Sequence, residues 1–77
     1  MSRSVALHGK HGYFHGTVDE RGRLAVHGPN GDYLTGELDD RGNIKMNGKS
    51  GYYHGKLSGS TAAVHGPDGD YLHGKIG

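Results

Sequence analysis

His27-Gly28-Pro29-Asn30-Gly31-Asp32-Tyr33-Leu34-Thr35-Gly36-Glu37-Leu38 holds a turn and a strand whose chemistry reads without ambiguity. Pro29 presets φ at the second position of a type I turn, and Gly31 supplies the left-handed residue that closes a bulged three-residue hairpin loop. After the turn, Leu34, Gly36 and Leu38 alternate with Tyr33, Thr35 and Glu37. Period two over β-favouring residues means a half-buried strand. Upstream, Arg23-Leu24-Ala25-Val26 places Leu24 and Val26 on one face. A three-residue loop then pairs His27 with Tyr33, Val26 with Leu34 and Arg23 with Glu37, so that apolar meets apolar and unlike charges meet.

The same grammar recurs along the chain. Gly9-Lys10-His11-Gly12-Tyr13-Phe14-His15-Gly16, Gly48-Lys49-Ser50-Gly51-Tyr52-Tyr53-His54-Gly55 and Gly66-Pro67-Asp68-Gly69-Asp70-Tyr71-Leu72-His73-Gly74 each repeat a turn, a Tyr and a mid-strand Gly. Gly66 to Gly69 fits the type I bulged turn, whereas Gly9 to Gly12 and Gly48 to Gly51 fit two-residue loops. Asp19-Glu20-Arg21-Gly22 and Asp39-Asp40-Arg41-Gly42 repeat the bulged loop without Pro. The units are 8–26, 27–46, 47–64 and 65–77. The last lacks its second strand, and residues 2–7, containing Ser4-Val5-Ala6-Leu7, supply one of the missing type.

Loop lengths fix the register, which advances by two residues per unit. Four units give a stagger of about eight across eight strands, a combination that closes a barrel packed with side chains. The expectation is a single all-β domain over 1–77. Its four β-hairpin repeats form an eight-stranded antiparallel up-and-down barrel with pseudo-fourfold symmetry, the N-terminal strand closing against the C-terminal one. The same hairpins left open, with strands shared among several chains, are the alternative. Inward positions are Val5, Leu7, Phe14, Val18, Leu24, Val26, Leu34, Leu38, Ile44, Met46, Tyr53, Leu57, Ala62, Val64, Leu72 and Ile76. Gly16, Gly36, Gly55 and Gly74 also point inward, either to let strands coil tightly or to leave a small cavity.

The hairpin grammar resembles two repeat families. Gly-Asp-Tyr with a following Gly, at 31–36 and 69–74, resembles MORN repeats, and Asp-Glu-Arg-Gly-Arg-Leu at 19–24 with Asp-Asp-Arg-Gly-Asn-Ile at 39–44 resembles YD repeats. Both resemblances imply hairpins and no particular activity. Tyr and Gly have two residues between them here against one in MORN repeats, and the Tyr-Asp pair of YD repeats is missing.

Composition narrows the function classes. The 77 residues include 16 Gly and 2 Pro and are 31% hydrophobic, a mix common in disordered chains, but the glycines fall at turns and mid-strand. Nine Lys and Arg against eight Asp and Glu leave +1, so net charge offers a polyanion no help. With no Cys there is no disulfide, thiolate metal site or Cys nucleophile. No long apolar stretch marks a signal peptide or a transmembrane helix, so the cytoplasm is the default location. Ser50, Ser58 and Ser60 lie in turns without a His–Asp relay, and Asp19, Asp39, Asp68 and Asp70 read as turn residues, so no catalysis is expected.

The outward face carries the remaining pattern. By register His15 faces His27, His54 faces His65 and His8 faces His73, while Thr35 and Asn47 hold the fourth equivalent place. Tyr13, Tyr33, Tyr52 and Tyr71 flank these pairs. Imidazoles on adjacent strands, with Cβ atoms about 5 Å apart, can chelate zinc, nickel or copper weakly. Structural zinc wants four ligands, which calls for a second chain. The leading reading is a non-catalytic binding or scaffold module without a cofactor. Alternatives are a transition-metal protein using those His pairs, as a homo-oligomer, and single-stranded nucleic-acid binding through outward Tyr with Lys10, Lys49, Lys56, Lys75, Arg21 and Arg23. Near-zero net charge and the evenly spread carboxylates Glu20, Glu37, Asp39 and Asp40 count against the last.

Overall fold

The computed structural model describes residues 2–77 apart from the side chain of Asn30; Met1 lies outside the described residues. Eight antiparallel strands run in chain order: β1 (Arg3–Gly9), β2 (Gly12–Val18), β3 (Arg23–His27), β4 (Tyr33–Leu38), β5 (Asn43–Gly48), β6 (Gly51–Ser58), β7 (Thr61–His65) and β8 (Tyr71–Ile76). Each pairs with the next, and β8 pairs with β1, so the sheet closes into an up-and-down barrel. Closure leaves no strand edge to template pairing with other chains. Ser4 and Gly77 complete the seam by exchanging backbone hydrogen bonds of 3.2 and 2.9 Å.

The register follows the expected turn chemistry. Val26 faces Leu34 and Arg23 faces Glu37 across the Pro29 loop. Val18 faces Leu24 and His15 faces His27 across the Asp19 loop. Gly22 and Gly42 are left-handed, at φ 84° and 86°, as the bulged loops require. Three turns depart from expectation in detail. In the Pro67–Gly69 turn, Asp68 also adopts positive φ, 56°, which Asp tolerates through its short polar side chain. In the Lys10-His11 and Lys49-Ser50 loops the positive φ falls on the residue after the loop, Gly12 at 131° and Gly51 at 134°.

Fifteen of the sixteen expected inward side chains form one buried cluster. Leu57 is the exception, half-buried against that cluster. Its cross-strand neighbour is Ala62, whereas Val18 faces Leu24 and Leu38 faces Ile44. A methyl group covers less of Leu57 than a branched side chain would. The mid-strand glycines serve close approach. A Cβ on Gly16, Gly36, Gly55 or Gly74 would overlap the carbonyl oxygen of Ala25, Lys45, Ala63 or Ala6 respectively. Those oxygens belong to the adjoining strand, so the glycines let two backbones come together where the barrel coils tightly.

Candidate functional surface

Cβ alternation turns one set of side chains outward on each strand. On that face the structure places the six expected histidines in the expected register: His8 opposite His73, His15 opposite His27, and His54 opposite His65. Thr35 faces Asn47 at the fourth place.

Ring contacts join most of these residues into a belt. Tyr52 stacks on His54 at 5.7 Å, His54 meets His65 at 6.1 Å, and His65 meets Tyr71 at 5.0 Å. Tyr71 stacks on His73 at 5.8 Å, and His73 meets His8 at 6.3 Å. His8 meets Tyr13 at 4.7 Å, and Tyr13 stacks on His15 at 5.6 Å. Eight rings on five strands, β6 to β2, thus form an unbroken arc. Among the described residues no ring contact bridges His15 and His27. His27 meets Tyr33 alone at 4.7 Å, and the belt ends at Thr35 and Asn47. The four outward tyrosines keep 43–48% of their surface exposed, the large hydrophobic side chains most open to water. Tilted and stacked arrangements at these separations are the favourable ones for aromatic pairs.

Charge is sorted by position. Of the eight acidic residues, Glu37 alone stands on a strand; the other seven lie in the loops at the two ends of the barrel. Strand cations Arg23, Lys45, Lys56 and Lys75 are exposed on the wall. The expectation of evenly spread carboxylates is therefore corrected. Asp19, Glu20, Asp39 and Asp40 gather at one end because the bulged loops place them there.

The carboxylates at that end mainly order turns. Asp19 Oδ1 accepts the amides of Arg21 and Arg23 at 2.9 and 3.0 Å. Asp39 Oδ1 accepts those of Arg41 and Asn43 at 2.9 and 2.8 Å, and Asn43 Nδ2 donates to Oδ2 at 2.9 Å. The hydrogen bond from the Arg23 amide holds the Asp19 carboxyl below its ordinary range, and the Asn43 side-chain amide does the same for Asp39.

At the opposite end Asp70 does more than turn. Tyr53 Oη donates to Asp70 Oδ2 at 3.2 Å, and Lys10 Nζ and His11 Nε2 each stand 3.7 Å from Oδ1. Asp32 receives Lys49 Nζ at 3.4 Å. Asp70 Oδ1 is buried without a hydrogen bond, so its charge is met by the Lys10 ammonium at ion-pair distance, with the His11 ring at the same separation. Tyr53 is buried, and that burial, with the Asp70 bond and the charge of Asp32, pushes its hydroxyl up to about 12. Reading Asp70 as a turn residue missed this rim cluster; the Tyr at 53 where the matching unit has Phe14 was the available signal.

Two shallow grooves of similar size cross the wall. One, of about 610 Å³, lies over Gly55, between Lys45, Lys56, His54, His65 and Tyr52. The other, of about 670 Å³, lies over Gly36 and brings Arg23, Glu37, Thr35, Asn47 and the far sides of Lys45 and Tyr52 together. Similar volumes make chemistry the distinguishing feature. No group of three or more His, Asp or Glu side chains able to hold one metal ion occurs among the described residues, so the His pairs offer two ligands each. No helix among them is long and apolar enough to cross a membrane. The chain matches no family model, and neither a curated protein nor a solved structure proves similar to it, so the MORN and YD resemblances lead to no family.

Proposed function

We propose that the chain is a non-catalytic binding or scaffold module, built from four hairpin repeats with pseudo-fourfold symmetry, whose contact surface is the outward Tyr and His belt. The eight-ring arc from Tyr52 to His15 carries this reading, because its tyrosines stay 43–48% exposed on a closed, edge-free barrel. Rigid amphipathic rings give contact area at low cost in conformational entropy. The barrel holds them in register before any partner arrives. A test probes arrays of oligosaccharides, peptides and oligonucleotides with the chain and with Tyr13→Ala/Tyr52→Ala/Tyr71→Ala. The expected result is a bound class that the triple variant loses at unchanged melting temperature. Binding that survives all three substitutions would refute the belt as the contact surface.

A second reading is supported by the His54–His65 and His8–His73 centroid separations of 6.1 and 6.3 Å. Small rotamer changes bring such pairs onto one zinc, nickel or copper ion, and a second copy would supply the remaining ligands. Calorimetric zinc titration of His54→Ala/His73→Ala, which splits both pairs, decides it. Heat that persists in that variant would count against the pairs.

A further inference from the structure

Net charge conceals how the wall is organised. The outward residues of β5, β6, β7, β8, β1 and β2 include Lys45, Lys56, Lys75, His54, His65, His73, His8 and His15 and no carboxylate. Among the described residues, none of those three lysines closes an ion pair within 4.0 Å; it is Lys10, His11 and Lys49 that stand against Asp32 or Asp70 at the rim. Glu37 is the nearest strand carboxylate, opposite Lys45 on the β4 side, and Asp39 lies beyond Asn43, occupied by its turn. Lysines without a close ion pair therefore lie beside the continuous part of the ring belt. Lys45 pairs with His54, and Lys56 and Lys75 each stand two residues from a belt histidine on their own strand.

We propose that this six-strand wall binds single-stranded nucleic acid, with bases against the belt of Tyr52, Tyr71 and Tyr13 and phosphates toward Lys45, Lys56 and Lys75. This rests on the belt being a contact surface and names its partner. A row of exposed rings beside a row of cations is the combination that unpaired strands require. Every base has a face to stack, and each phosphate has a charge to neutralise. A duplex hides its base faces, and a sulfated sugar would answer the lysines and leave the rings unused. The closed barrel also fixes the spacing of both rows, so little ordering is needed on the protein side.

The test is fluorescence anisotropy of labelled oligothymidylate with the intact chain across a salt series. Neutralising phosphates with three lysines predicts a slope of log affinity against log salt of about −2, at roughly 0.7 per phosphate. Lys45→Gln/Lys56→Gln/Lys75→Gln should flatten that slope. Tyr13→Ala/Tyr52→Ala/Tyr71→Ala should weaken binding by about tenfold or more at unchanged slope, since stacking one base is worth that much. Tyr→Phe at the same three positions should restore it, because the ring is kept. All the replaced side chains are exposed, and melting curves verify that each variant folds. No binding at low salt would overturn the proposal. So would a slope indifferent to the lysines, or heparin binding as tightly as the oligonucleotide and ignoring the tyrosines. If another arrayed ligand still needs the tyrosines, the binding-module reading stands and only the nucleic-acid partner falls.

Discussion

The groove over Gly55 and the groove over Gly36 share one backbone device and differ in what surrounds it. In each, a glycine on one strand lets the carbonyl of the next strand approach to where a Cβ would sit, Ala63 in the first and Lys45 in the second. Around Gly55 stand two lysines, two histidines and Tyr52; around Gly36 stand an arginine facing a glutamate, then Thr35 and Asn47. The shared part belongs to folding. The difference belongs to the outward positions, which the core does not constrain and which are free to carry chemistry.

The largest expected effect strikes the shared part. Gly55→Ala and Gly36→Ala should each cost about 3 kcal/mol or more, because the obstruction is backbone and cannot rotate away. Urea unfolding would show the two losses to be comparable despite the different faces above them. A Gly55→Ala protein within about 1 kcal/mol of the parent would mean the strands can part, and the common device would be lost.

An intermediate effect comes from the rim, where the two halves of the barrel differ at Phe14 and Tyr53. Tyr53→Phe removes the bond to Asp70 and should cost roughly 1–2 kcal/mol. It also changes the alkaline limb. Tyr53 holds its proton to about 12 in the fold against 10.0 for the free group. The folded form therefore binds more protons between those values, so its stability is complete below pH 10 and falls as pH rises toward 12. Denaturant midpoints at pH 9 and pH 11 should diverge for the parent and converge for Tyr53→Phe. Equal divergence in both would remove the Tyr53–Asp70 bond from the account.

The smallest effect on stability sharpens the difference. Thr35→His/Asn47→His installs a fourth cross-strand pair at exposed positions, and should change stability by no more than about 0.5 kcal/mol. It should nonetheless add a nickel-binding step by calorimetry and carry the ring belt toward Tyr33. No added nickel heat would show that register alone does not make a chelating pair.

Much of this was legible from residues. Turn chemistry at Pro29, Gly22 and Gly42 set the loop lengths, loop lengths set the register, and the register brought β1 against β8. The core followed from period two; Leu57 packs against it as expected but stays half-buried, because alternation reports direction and says nothing of the size of the facing residue, Ala62. The His pairs were found by the same register, but the break between His15 and His27 was not. Ring contact depends on rotamers, which strand pairing leaves open. Charge sorting was missed for a different reason. Blocks of acidic and basic residues follow one another along the chain, and folding is what sorts loop carboxylates from wall lysines, so a net charge of +1 averaged over a distinction that exists in space. Asp70 was hidden likewise, since its partners Lys10 and His11 lie 60 and 59 residues earlier in the sequence.

A wall free to receive a partner requires that one chain close its own barrel. Native mass spectrometry of chelator-treated protein tests this most directly. A metal-free monomer that persists across dilution is the expected result, with β1 sealed on β8 inside one chain. A metal-free dimer or trimer that does not dissociate would contradict it, because the strands would then be shared or the belt already covered.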